Sequence, residues 1–179
     1  MYSTIILIGP VSAGKSTVAA LLADKLHMPH VSIDDVRWGY YAEIGYDNAE
    51  ASRIANSDEG MLGLLRYWKP FEAYAVERVL PDHPNSVIDF GAGHSFYDDE
   101  ALFDRVQNAL APYPNVIMLL PSPDLDESAR ILNDRFRTLL QREVGLVDEG
   151  LLDLNATFVK HPSRSSAGEN RRLHQRQDA

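Results

Sequence analysis

GPVSAGKST, residues Gly9 to Thr17, is the stretch of sequence that decides the fold, and the strand-like run TIILI stands directly before it. It fits the pattern G-x-x-x-x-G-K-[ST], in which glycines let backbone N–H groups surround phosphate oxygens. Lys15 supplies a mobile cation for the phosphates, Ser16 offers a hydroxyl ligand for Mg²⁺, and the helix that follows has a positive N-terminus. An ordinary glycine turn with a surface lysine is the alternative, but a strand before and a helix after are the context that the motif requires. We therefore predict a nucleotide phosphate site formed by Gly9, Ser12, Ala13, Gly14, Lys15, Ser16 and Thr17.

Length and charge restrict the class of protein further. The 179 residues suffice for one domain with a core, the formal net charge is −9, and cysteine is absent. Proteins that grip long nucleic acids usually carry a basic face, so we expect no extended nucleic-acid surface. The sequence has no apolar run near the ~20 residues that span a membrane, and its start lacks the pattern of a signal peptide. We expect a cytoplasmic protein without membrane contact, present as a monomer or a weak dimer.

Apolar runs alternate with helical patterns, which is typical of a three-layer α/β/α domain with a mostly parallel sheet. We predict five strands, at 4–9, 30–33, 86–90, 116–120 and 157–160. Helices are predicted at 15–26, at 98–110 and from Pro123 towards Leu140, and 36–80 is predicted to be largely helical, with breaks near Gly45 and Lys69-Pro70. Residues 1–160 are expected to form this single domain, and the polar segment 161–179 is expected to be a disordered tail.

Three further segments follow the loop in an order that resembles the P-loop small-molecule kinases, and shikimate kinase most of all. They are the acidic pair Asp34-Asp35 after the second strand, the glycine turn within VIDFGAGHS (87–95), and the segment from Arg130 to RTLL at Arg137. The resemblance extends from Thr4 to about Leu140. It implies an ATP- and Mg²⁺-dependent kinase in which Arg130 stacks on the nucleotide base and Arg137 belongs to a lid at about 130–150. It also implies that the insert at about 36–80 covers the acceptor.

Two departures from that family concern the acceptor. The stretch PFEAYAVERVL (70–80) places Glu72 where the family has an arginine that grips the substrate carboxylate. A second arginine of this kind, expected after the lid, has no clear match in the sequence that follows. Because an anion in place of a cation repels a carboxylate, we expect the acceptor to be a hydroxyl compound other than shikimate.

The general base is expected in the acidic pair, where the resemblance leaves two choices. Shikimate kinase has an Asp-x-Asp motif at this point, and only the second of its two acids is present in this sequence, as Asp35. SIDDVR (32–37) also resembles the D-D-x-R of polynucleotide kinases, in which the first acid is the base and the arginine touches the acceptor. Chloramphenicol phosphotransferase, with one acid at this point, likewise favours the first. We rank Asp34 first as the base, with Asp35 and Arg37 as acceptor-binding residues; a helix N-cap pair is the alternative.

Asp89 and the turn after it have a structural alternative as well. Asp89 closes the third strand, and it either holds Mg²⁺ together with Ser16 or caps the turn that follows. The turn Gly91-Ala92-Gly93 either lets the backbone approach an acceptor closely or is an ordinary loop.

The arginines of the predicted lid and the aromatic residues of the insert have two interpretations each. A mobile arginine over the γ-phosphate would stabilise transition-state charge, which favours a catalytic role for Arg137. Asp134 lies four residues after Arg130, so the segment is also compatible with a solvated helix face. Aromatic residues of the insert either wall an acceptor pocket or form the core of a helical subdomain.

Together these features favour an ATP- and Mg²⁺-dependent kinase that phosphorylates a hydroxyl of a small metabolite. One alternative is a kinase of nucleosides, antibiotics or polynucleotide 5′-hydroxyl groups, motivated by DDVR. A nucleotide-binding regulator without a small-molecule acceptor is the alternative from another class.

Overall fold

The chain forms an α/β domain in which strands and helices alternate as predicted. The computed structural model describes residues 3–143 and 149–160. The strands are β1 (Ile5–Ile8), β2 (His30–Ser32), β3 (Val87–Asp89) and β4 (Asn115–Met118). The helices are α1 (Lys15–Leu26), α2 (Ile33–Glu43), α3 (Asn48–Ala55), α4 (Gly60–Asp82), α5 (Glu100–Leu110), α6 (Leu125–Glu143) and α7 (Glu149–Lys160). A short 3₁₀ turn, Gly93–Ser95, follows β3.

The four strands form one parallel sheet in the order β2-β3-β1-β4. Ile6 of β1 lies beside Ile88 of β3 and Val116 of β4, and Val31 of β2 lies on the other side of Ile88. Because all strands point the same way, their carboxyl ends meet at one edge, which is where ligands bind in sheets of this kind. Three segments begin at that edge: the loop between β1 and α1 (residues 9–14, the phosphate loop), helix α2, and the turn after β3.

Successive residues of β1 face opposite layers of the domain. Leu7 packs with Ala19 and Ala23 of α1. Its neighbours Ile6 and Ile8 belong to a larger cluster on the other side, to which α4 and α5 contribute. Helices therefore cover both faces of the sheet, which explains why its strands are continuous apolar runs in the sequence.

The predicted fifth strand at 157–160 is wrong, because these residues end helix α7. The run TFVK is too short for its periodicity to separate a strand from a buried helix. Buried side chains recur along α7 at the three- and four-residue spacing of a helix face, at Leu151, Leu152, Asn155, Phe158 and Val159. The part of the chain that the structure describes thus has four strands rather than five.

The insert is helical as predicted, but its helices differ in extent. Helix α2 begins at Ile33, directly after β2, and Ser32 is its N-cap. The predicted break at Lys69-Pro70 is wrong, since α4 continues through Pro70. Pro70 lies on the exposed side of α4, where water can replace the hydrogen bond that proline removes.

Two predicted features fall on residues beyond the described ranges. The tail 161–179 and residues 144–148 of the predicted lid lie outside the described residues. The acceptor-covering role of the insert and the lid role of 130–150 stay predictions. Within 3–143 and 149–160, no helix combines the length and apolar character needed to cross a membrane.

Candidate active site

The phosphate loop connects β1 to α1 in an unusual backbone conformation. Gly9, Ser12 and Gly14 have φ angles of 146°, 63° and 90°, a region that L side chains rarely adopt. A Cβ atom at Gly9 would lie 2.6 Å from the carbonyl oxygen of Leu119, so the residue has no room for a side chain. The shape of the loop therefore depends on its glycines, as the phosphate-binding motif requires.

Lys15, the first residue of α1, is a buried cation. Only 8 % of its surface is exposed, and its Nζ donates to the Pro10 carbonyl at 2.8 Å. Burial lowers the pKa of Lys15 from 10.5 to about 8, although the carboxylates of Asp34 and Asp89 act in the opposite direction. Because burial disfavours the charged ammonium group, an anionic ligand beside it would be stabilising, and a nucleotide phosphate fits the loop around it.

Asp89 is the last residue of β3, and its carboxylate interacts electrostatically with Lys15. Its carboxylate accepts hydrogen bonds from Ser16 Oγ at 2.7 Å and Ser32 Oγ at 3.3 Å, and His30 Nε2 lies 2.6 Å from its other oxygen. All three partners belong to α1 and β2 and none to the glycine turn. This favours the interpretation of Asp89 as a metal ligand over its interpretation as a cap of that turn. Hydroxyl and carboxylate oxygens are ligands that Mg²⁺ prefers.

The same region does not enclose a metal by itself. No group of three or more His, Cys, Asp and Glu side chains that could hold a metal is found among the described residues. Mg²⁺ commonly takes one or two protein ligands and completes its shell with substrate phosphates and water. Ser16 and Asp89 fit that mode of binding. His30 was missed by the sequence reasoning, because nothing in a single histidine at the start of a strand indicates a carboxylate partner 59 residues away.

A cleft of about 290 Å³ opens at the carboxyl edge of the sheet. The phosphate loop and the start of α1 contribute to its lining, together with Asp34, Phe90, Gly91 and Ala92. Of the predicted loop residues, the lining includes Ser12, Gly14, Lys15, Ser16 and Thr17 but not Gly9 or Ala13. The geometry thus brings five of the seven predicted loop residues and the first predicted acid, Asp34, to one cavity.

Asp34 faces this cleft from the first turn of α2. Its side chain is 48 % exposed, and its Oδ1 lies 3.2 Å from Arg37 Nη1 and 3.9 Å from His94 Nδ1. Desolvation raises the pKa of Asp34, while Arg37 and Lys15 oppose that shift. Asp35 is exposed and is not among the lining residues. Because Ser32 is the N-cap of α2, the two acids lie inside the first turn rather than at the cap.

The glycine turn after β3 is packed against two carboxylates. A Cβ at Gly91 would lie 2.5 Å from Asp34 Oδ1 and 2.8 Å from His94 Nδ1. A Cβ at Gly93 would lie 2.0 Å from Glu72 Oε1. A side chain at either position would therefore displace a carboxylate, and the cost is higher at Gly93, where Glu72 is buried, than at Gly91, where Asp34 is half-exposed.

Glu72 does not face the acceptor side of the cleft as the sequence predicted. It is 2 % exposed, lies beneath the glycine turn and pairs with Lys69, whose Nζ is 2.8 Å from Glu72 Oε2. Burial raises the pKa of Glu72, with Lys69 acting against the shift. Lys69 also donates to the carbonyls of Gly93 at 2.9 Å and Phe96 at 3.0 Å, so all three of its N–H donors are in use.

The aromatic residues of the insert form mainly a subdomain core, with one edge at the surface. Ring contacts of 5.2–6.2 Å join Trp38, Tyr41, Tyr46, Tyr67, Trp68 and Phe71. The guanidinium of Arg37 lies over Trp38 at 4.5 Å and near Trp68 at 5.2 Å. Arg37 Nε is buried and, within 3–143 and 149–160, has no hydrogen-bond partner.

The arginines of α6 differ from one another. Arg130 and Arg137 are exposed and lie 3.7 and 3.9 Å from Asp134, which matches the solvated helix face considered above. Neither is among the residues that line the cleft. Arg135, for which the sequence indicated no separate role, donates to the Ser12 carbonyl of the phosphate loop at 3.3 Å. Base stacking by Arg130 and catalysis by Arg137 stay predictions.

The strand–loop–helix unit, the parallel sheet and the cleft at its carboxyl edge define a protein of the P-loop α/β class. Among solved structures the chain is similar to shikimate kinase from Acinetobacter baumannii in complex with shikimate, with a TM-score of 0.55 and 18 % identity, covering 89 % of this chain and 75 % of that chain. It is also similar to shikimate kinase from Bacteroides thetaiotaomicron, with a TM-score of 0.50 and 20 % identity, covering 93 % and 82 %. The predicted resemblance in fold is thus confirmed. No family model and no curated protein matches the chain.

Proposed function

We propose that this protein is an ATP- and Mg²⁺-dependent kinase that phosphorylates a hydroxyl group of a small metabolite. One observation carries the proposal: the buried cation Lys15 and the carboxylate Asp34 line the same cleft, and each charge acts on the pKa of the other. Phosphoryl transfer depends on such positioning and on charge neutralisation more than on covalent chemistry. The fold that the chain shares with the two shikimate kinases supports the same class of reaction.

Each residue of the cleft has a role in this proposal. When bound, ATP with Mg²⁺ supplies the phosphoryl group: the bond from the γ-phosphorus to the bridging oxygen breaks as a bond to the acceptor oxygen forms, and ADP leaves. Asp34 accepts the proton of the acceptor hydroxyl, and its raised pKa makes it a stronger base than an ordinary aspartate. Lys15 faces the phosphates, while Ser16 and Asp89 would hold the metal.

The acceptor is proposed to lack a carboxylate. Lys69 is the cation nearest to the position where the family carries its carboxylate-gripping arginine, and its three donors are committed to Glu72, Gly93 and Phe96. Arg37 is already paired with Asp34. An uncharged polyol or sugar therefore fits the site better than a carboxylated one.

A panel of acceptors tests the proposal. Each polyol is paired with its carboxylate analogue, shikimate is included, and ADP release is measured with and without EDTA. We expect turnover to require Mg²⁺ and an uncharged hydroxyl compound. Asp34→Asn should reduce kcat about 10²–10⁴-fold, whereas Asp35→Asn, the matched control on the same turn, should change it little. ATP hydrolysis that no acceptor stimulates would instead support a nucleotide-binding regulator.

A second candidate is a kinase of nucleoside or polynucleotide 5′-hydroxyl groups. It is favoured by Arg37, which pairs with Asp34, rests on Trp38 and Trp68, and keeps a buried Nε without a partner. An acceptor oxygen, such as that of a nucleotide phosphate, would satisfy this donor. Short oligonucleotides and nucleosides belong in the acceptor panel for this reason. If they are phosphorylated and small polyols are not, the second candidate replaces the first.

A further inference from the structure

Helix α7 contacts the phosphate loop through a buried amide. Asn155 is 2 % exposed, and its Oδ1 accepts a hydrogen bond from the backbone N–H of Val11 at 3.1 Å. The two residues lie 144 positions apart in the sequence. The contact therefore joins the last described helix to the first loop of the chain.

The same part of the loop has further contacts with α6 and α7. Ala13 packs against Ala129, Leu132 and Val159, and Ser12 accepts the hydrogen bond from Arg135 described above. Residues 11–13 are thus held from outside the cleft by two helices that the motif does not include. Ser12 has a left-handed backbone at φ 63°, a conformation that persists in a non-glycine residue only when surrounding contacts hold it.

We propose that Asn155 is a positioning residue that holds the phosphate loop in its anion-accepting shape before a nucleotide binds. This inference rests on the proposed function, since it concerns the same nucleotide site. Without the bond, Val11 N–H would be a backbone donor without its partner, and the loop would gain conformations that do not fit phosphate. Asn155 acts through the loop and touches no reacting atom.

The orientation of the amide supports a role in holding the loop. A backbone N–H can only be matched by an acceptor, so Oδ1 must face Val11 and Nδ2 must point away. Nδ2 is buried and has no hydrogen-bond partner among the residues that the structure describes. Leaving a buried donor such as Nδ2 unpaired is unfavourable. The hydrogen bond that Oδ1 accepts from Val11 is therefore the polar contact that accounts for an asparagine at this buried position of α7.

Binding measurements separate this role from general packing. Asn155→Leu, which keeps four side-chain heavy atoms and the branch at Cγ, removes the acceptor, and Asn155→Ser leaves a hydroxyl and space for water. Leu152→Ala is the control, because Leu152 is equally buried on α7 but packs with Leu140 and Phe136, away from the loop. Dissociation constants for MgADP and for tripolyphosphate are measured by calorimetry, with the melting temperature of each variant.

We expect Asn155→Leu to weaken both probes roughly five- to tenfold, the loss typical of one hydrogen bond. The serine variant should lose less, and Leu152→Ala should melt earlier but bind both probes like the wild type. In turnover assays, Asn155→Leu should raise KM for ATP and leave kcat nearly unchanged. If Asn155→Leu loses affinity for MgADP alone, the side chain acts on the nucleobase rather than on the phosphate loop. If Leu152→Ala loses as much affinity as Asn155→Leu, the effect is one of packing. Either result, or unchanged affinity in Asn155→Leu, overturns the proposal. Absence of kinase turnover would contradict the proposed function and leave the binding test intact.

Discussion

Replacing Lys15 by methionine should stabilise the nucleotide-free protein while removing its capacity to bind ATP. Burial lowers the pKa of Lys15 from 10.5 to about 8, which corresponds to about 3 kcal/mol of unfavourable free energy at pH 7. Methionine keeps the apolar stem of the lysine but leaves the Pro10 carbonyl without its partner, at a cost of about 1 kcal/mol. We therefore expect the free energy of unfolding to increase by about 2 kcal/mol at pH 7.

The pH dependence of this gain has a defined sign. Between about pH 8 and pH 10.5, the unfolded chain binds a proton at Lys15 that the folded chain does not bind. Stability rises with pH wherever the unfolded state binds more protons, so the wild type gains stability in this window and Lys15→Met does not. At pH 9.5 the unfavourable term has fallen to about 1.4 kcal/mol, so the advantage of the variant shrinks by about 2 kcal/mol.

Urea-induced unfolding at the two pH values measures both free energies, with the fluorescence of Trp38 and Trp68 as the signal. Lys25→Met, on the exposed side of the same helix, is the matched control and should change stability by less than about 0.5 kcal/mol. Calorimetry with MgADP should show no binding to Lys15→Met. The reasoning is refuted if Lys15→Met is no more stable than the wild type at pH 7, or if the difference does not narrow at pH 9.5.

Three further predictions concern the walls of the site. Gly93→Ala should destabilise the protein by about 1–3 kcal/mol because its Cβ meets buried Glu72, whereas Gly39→Ala, with nothing within 4 Å, should be neutral or stabilising in the same urea titration. His94→Gln should flatten the loss of stability as pH falls below 6.5, because burial holds the pKa of His94 well below that value and only the unfolded chain takes up the proton; an unchanged pH profile would contradict this. Asp89→Asn should raise the Mg²⁺ concentration for half-maximal turnover roughly tenfold or more, and an unchanged midpoint would remove Asp89 from the metal site.

The donor half of the site was predictable because its chemistry is local in sequence. The motif from Gly9 to Ser16 specifies a strand, a loop and a helix within a few residues, and each appears with its predicted boundaries nearly unchanged. Asp34 lines the cleft and Asp35 does not, while the choice of Asp34 as the base stays a prediction.

The features that escaped prediction depend on contacts between distant segments. The sequence analysis placed Glu72 at an acceptor-binding position and assigned Lys69 no partner; only the structure shows that the two side chains pair below the turn after β3. TFVK reads equally well as strand or helix until the seam between α6 and α7 is known. Asn155 carries no signal of its own, because its partner is a backbone N–H that any residue at position 11 other than proline would supply.

The glycine turn after β3 connects the proposed base to the buried ion pair. Gly91 leaves room for the carboxylate of Asp34, and Gly93 leaves room for that of Glu72, while Lys69 binds the turn from below at two carbonyls. A change in Glu72 therefore moves the turn, and the turn is in contact with Asp34. The resemblance to shikimate kinase implies an arginine at position 72 that binds the acceptor directly. In this protein Glu72 and Lys69 instead support the glycine turn, against which the proposed base Asp34 packs. If Asp34 is the base, as proposed, the departure at Glu72 acts on catalysis through the position of Asp34 rather than through a charge that the acceptor meets, because Glu72 is buried and paired with Lys69.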